Sequence, residues 1–69
     1  MKRMDKLHEL LQGYGFKFIF DQTDSMFVRG WITSFIIHNV KGSENDEMFS
    51  IMSKMKDNEF SEMAKRYYQ

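Results

Sequence analysis

Between Met26 and Val40 the chain reads MFVRGWITSFIIHNV, and this stretch limits the possible folds more than any other. It is rich in β-branched and aromatic residues. A helix through it would accumulate unfavourable propensities together with an interior glycine, so propensity favours a long strand. One face would carry Met26, Val28, Ile32, Ile36 and Val40, and the other Phe27, Trp31, Phe35 and Ile37, with Gly30 marking a bulge or bend. The rival reading is a helix to Val40, with Asp24 or Ser25 as its N-cap and Gly42 as its terminator.

Upstream, Phe16, Phe18 and Phe20 alternate with Lys17, Ile19 and Asp21, the period-two pattern of a second strand. The polar residues Gln22 to Ser25 form the turn between the two. Three helical patterns surround this pair. Met4, Leu7 and Leu11 recur at helical spacing with Leu10 beside them, and Gly13 suits a left-handed cap that ends the helix near residue 12. Met48, Ile51, Met52 and Met55 fall at i, i+3, i+4 and i+7, behind a Ser43–Asp46 pair that matches a relaxed capping box. Phe60, Met63, Ala64 and Tyr67 repeat the spacing, with Asp57 or Asn58 as the cap. The expected fold class is therefore α+β in one domain, residues 1–69. It comprises an N-terminal helix, an antiparallel two-stranded sheet (about 16–21 and 26–40) and two C-terminal helices (about 44–56 and 58–67).

The chain contains no cysteine, so no disulfide, thiolate metal cluster or thiol nucleophile is available, and 69 residues must be held by apolar packing alone. Its 42% hydrophobic and 16% aromatic content argues for a folded protein. Ten basic and ten acidic residues cancel, which removes the whole-molecule field that draws proteins to nucleic acid or anionic membranes. The start MKRMDKLHELL is interrupted by charge before any signal-peptide stretch develops, and no run approaches the roughly 20 apolar residues of a membrane span. A cytoplasmic location is expected.

Nothing points to catalysis, a cofactor or a metal. His8 sits among charged helical neighbours and reads as a surface histidine. His38 has no thiol or nearby serine to complete a nucleophile–base pair. The acidic run Ser43 to Glu47 lacks the central glycine and the twelfth-position glutamate of a calcium loop, and is explained by helix-start electrostatics. The expected activity is binding. Exposed aromatic faces of the sheet and the acidic helix start make Phe27, Arg29, Trp31, Phe35, Glu44, Asp46, Glu47 and Met48 the candidate partner-binding residues, methionine being common in adaptable binding grooves. In size and style, as a short Met-rich and aromatic-rich chain, the protein is similar to small accessory proteins of bacteriophages and mobile elements that bind host machinery. That resemblance implies an inhibitor or adaptor occupying a surface on a larger protein. Single-stranded nucleic acid stacked on Trp31 and Phe27 near Arg29 and Lys17 is the alternative ligand, disfavoured by the zero net charge. The unpaired part of the long strand also predicts a homodimer built on residues 31–40.

Overall fold

A computed structural model describes all residues, 1–69. The chain folds into four helices and no sheet: α1 (Arg3–Gln12), α2 (Ser25–Asn39), α3 (Ser43–Lys54) and α4 (Asp57–Tyr67). The α+β expectation is overturned. The fifteen-residue stretch read as a long strand is α2, and the first strand is an extended linker whose only pairing is an isolated parallel bridge between Phe18 and Tyr68.

Backbone accounting explains the helix. A two-stranded sheet leaves both edges unpaired and is marginal by itself, whereas a helix satisfies its interior amides and carbonyls within one segment. Local chemistry supports its start, because the Asp24 carboxylate accepts a hydrogen bond from the Phe27 N–H at 3.0 Å. The helix also buries Val28, Ile32 and Ile36 completely. Burial stabilises each such side chain by about 1.5–3 kcal/mol, and this outweighs propensity penalties that reach at most about 0.7 kcal/mol for an ordinary residue.

Three expected caps also differ. Gly13 closes α1 in a right-handed conformation (φ −60°), and the left-handed residue is Gly15 (φ 88°). Gly42 (φ 72°) occupies the N-cap of α3, so Ser43 is the first helical residue and makes no side-chain cap. At α4 the N-cap is Lys56 in place of the expected Asp57 or Asn58, and its N–H donates to Glu59 Oε1 at 2.9 Å, closing the helix start with the N3 glutamate.

The helices pack as a ring. α1 rests on α3 and α4, and α2 rests on the same two. Inside the ring lies one core of Met4, Leu7, Leu11, Phe16, Phe18, Val28, Ile32, Ile36, Val40, Met48, Met52, Met55, Phe60, Met63 and Ala64. The linker contributes Phe16 and Phe18 to it. No helix is long and apolar enough to cross a membrane.

Candidate functional site

The linker from α1 to α2 makes the least ordinary surface of the molecule. Gly15 turns the chain, the Phe16 N–H donates back to the Leu11 carbonyl at 3.2 Å, and Phe16 and Phe18 then point inward. In extended backbone the intervening residues must point outward. Lys17 and Ile19 accordingly face solvent, and Ile19 is 63% exposed. The Phe18 carbonyl accepts from the Gln69 N–H at 3.3 Å. By the same alternation, the amides and carbonyls of Lys17 and Ile19 point to the opposite edge, where no backbone group of the chain meets them.

α2 supplies the floor beneath this segment. Phe27, Trp31 and Phe35 follow one another at i, i+4 and i+8 and form a stripe beside the core stripe. Trp31 is the hub: its ring lies 5.1 Å from Phe16, 5.5 Å from Phe18, 5.0 Å from Phe20 and 5.9 Å from Phe27. Phe16 also meets Phe35 edge-on at 5.0 Å. Edge and tilted geometries of this kind are favourable beyond simple burial. The six rings leave a shallow groove of about 260 Å³ lined by Gly15, Phe16, Lys17, Ile19, Trp31 and Phe35. Next to it, Phe20 (52% exposed) and Phe27 (44% exposed) continue the apolar surface.

The expected binding residues divide between several places. Phe27, Trp31 and Phe35 come together as described. Arg29 points elsewhere, pairing with Asp57 at 2.9 Å and lying over the Phe60 ring at 4.8 Å. Glu44 accepts a hydrogen bond from the Tyr14 hydroxyl, which ties the start of α3 to the turn that leads into the groove. This bond holds the Tyr14 phenol above its ordinary 10.0. Asp46 and Glu47 are exposed nearby along α3, while Met48 is fully buried and belongs to the core. Ile19 and Phe20 were absent from the expected set, because the exposure of an alternating segment depends on what packs over it.

A second cluster joins the ends of the chain. Asp5 Oδ1 accepts from the Tyr67 hydroxyl at 2.6 Å and from Arg66 at 3.0 Å. His8 stacks on Tyr67 with ring centroids 3.5 Å apart and 11° between planes. His8 is therefore buried rather than a surface residue. Burial lowers its pKa from the ordinary 6.5, Tyr67 and Arg66 hold Asp5 below 3.8, and the Asp5 bond raises Tyr67 above 10.0. Near neutral pH these groups are a neutral imidazole, a carboxylate and a phenol, in a clasp that contains no nucleophile–base pair. The Nδ1 of exposed His38 is spent on the Ser34 carbonyl, 2.8 Å away in its own helix.

The largest depression, about 590 Å³, lies between Met1, Lys2, Arg3 and the start of α4 at Lys56, Asn58 and Glu59; its charges of both signs and single apolar residue make it a solvated groove. No three side chains of the metal-ligating types converge anywhere. No protein family, no curated protein and no solved structure matches this chain.

Proposed function

We propose that this protein is a non-catalytic binding module, acting as an inhibitor or adaptor, that holds a segment of a larger protein in the groove over Trp31. The supporting observation is the continuous exposed apolar surface of Ile19, Phe20 and Phe27 around that groove. Solvent-facing aromatic patches of this kind are typical of protein contact sites. The unpaired backbone edge at Lys17 and Ile19 suits an extended segment, whose main chain bonds to the edge while one apolar side chain enters the groove. Acidic groups at the start of α3, next to the groove through the Tyr14–Glu44 bond, favour a basic residue flanking that side chain. A cysteine-free chain is at home in the reducing cytoplasm, where we set this activity. Nucleic acid fits less well, because Arg29 is engaged by Asp57 and Lys17 is the one cation lining the groove.

Panning a displayed library of random peptides against the protein tests the reading. Selected peptides should share an apolar residue beside a basic one, shift the fluorescence of Trp31, the single tryptophan, and lose binding to an Ile19→Glu variant. Peptides that bind Ile19→Glu as well as the unaltered protein, or a library that yields no binders, would refute it.

A further inference from the structure

α2 has a third stripe that neither the core nor the linker covers. With Val28, Ile32 and Ile36 facing inward, Met26, Gly30 and Ile37 lie on the opposite side of the helix at about 100° per residue. Met26 is 74% and Ile37 is 55% exposed. Gly30 sits between them, and a Cβ built there would meet nothing within 4 Å. Its backbone is not in the left-handed region. The fold of one chain therefore has no use for a glycine that weakens the helix. A second backbone approaching closely at this point does.

The charges around the stripe say what that second body is. Arg29 is the one charged residue of α2, and it is turned to Asp57. Before the N-terminal end of the helix stands exposed Asp21, and beyond its C-terminal end exposed Lys41. None of the three ion pairs within the chain uses them. An apolar stripe with an acidic end and a basic end is its own complement when laid against a copy running the other way. A two-fold axis between residues 31 and 32 sets Met26 of one copy against Ile37 of the other, and Gly30 against Thr33. It also brings Asp21 of one copy toward Lys41 of the other.

We infer that two copies of this chain associate through antiparallel α2 helices that meet along the stripe of Met26, Gly30 and Ile37. This differs from the strand pairing expected from the sequence, for which α2 offers no edge. A helix about 22 Å long and about 10 Å wide gives a contact at the low end of specific interfaces, below about 1,200 Å² in total. The dimer is accordingly reversible, forming and dissociating with concentration.

Sedimentation velocity from low to high micromolar concentration tests the inference on the whole chain. The unaltered protein should move from monomer to dimer across that range. Gly30→Leu has open space in the monomer and a better helix former in place of glycine, so it should keep its helical circular dichroism with a thermal midpoint no lower than that of the unaltered protein, while weakening association roughly tenfold or more. Asp21→Lys and Lys41→Glu should each weaken the dimer, and the two together should restore it, since an antiparallel pair exchanges these charges. An unaltered protein that stays monomeric throughout, a Gly30→Leu variant that associates normally, or a double charge exchange that fails to restore association would each overturn it. The peptide groove lies on another side of α2, so Ile19→Glu should leave the dimer intact, and failure of one proposal does not carry over to the other.

Discussion

Replacing Gly30 with alanine should stabilise the monomer, and the size of the gain follows from its place in α2. The residue is interior to a fifteen-residue helix, its backbone is right-handed, and the added methyl meets open space. No packing change opposes the difference in helix propensity, which is about 0.8–1.0 kcal/mol in favour of alanine. For a domain of this size each kcal/mol moves the thermal midpoint by about 4–8 °C. Gly30→Ala should therefore melt roughly 3–8 °C higher than the unaltered protein. The same replacement at Gly42 (φ 72°) or Gly15 (φ 88°) meets equally open space but forces an L-residue into left-handed backbone, which costs about 1–2 kcal/mol. One chemical change thus has opposite signs at positions with equal room. The assay is thermal unfolding followed by circular dichroism at low micromolar concentration, where the monomer dominates. A midpoint for Gly30→Ala at or below that of the unaltered protein would show that residue 30 is not in the interior of a continuous helix, and would undo the account of α2.

Ile36 is fully buried and its neighbour Ile37 is 55% exposed; in urea titrations Ile36→Ala should lose about 2–5 kcal/mol and Ile37→Ala no more than about 0.5 kcal/mol. Equal losses would mean that the helix is rotated from the orientation described. Because burial depresses the pKa of His8 below 6.5, the unfolded chain binds the proton more readily; stability should be full above that pH, fall as the pH drops through it, and lose this dependence in His8→Gln. The Asp5–Tyr67 bond should act at both extremes. Asp5 is depressed below 3.8, so its contribution is present above that value and lost in acid. Tyr67 is raised above 10.0, so its contribution is present below that value and lost in alkali. Tyr67→Phe should reduce both dependences, and a pH–stability curve unchanged by that substitution would disprove the clasp.

α1, α3 and α4 were legible because their apolar residues repeat at a spacing that no strand shares. Met48, Met52 and Met55, then Phe60, Met63 and Ala64, are all buried as their periodicity requires. α2 was misread because its core residues occupy positions that satisfy two periods at once. Val28, Ile32, Ile36 and Val40 all fall on even numbers, which suits a strand, and also four apart, which suits a helix. The even positions between them hold Gly30, Ser34 and His38. A strand would place those three on the buried face, whereas a helix turns them outward, and that contrast was the available signal. The aromatic stripe Phe27, Trp31 and Phe35 survives the change, because residues four apart share a helix face much as alternate residues share a strand face. Burial of His8 was not legible locally, since charged neighbours surround it and the ring that covers it arrives from the far end of the chain.

The ring of helices has a consequence for how the molecule holds together. α1 does not pack on α2, and α3 does not pack on α4. Every helix–helix contact therefore joins residues before the Lys41–Gly42 peptide bond to residues after it. Neither half has a helical partner of its own, so fragments 1–41 and 42–69 should each be largely unstructured alone and should regain helix when mixed. Gly42 is thus the seam of a two-piece assembly, at which the intact chain only tethers parts that specify each other. Cutting there would turn folding into a bimolecular reaction and make stability depend on fragment concentration.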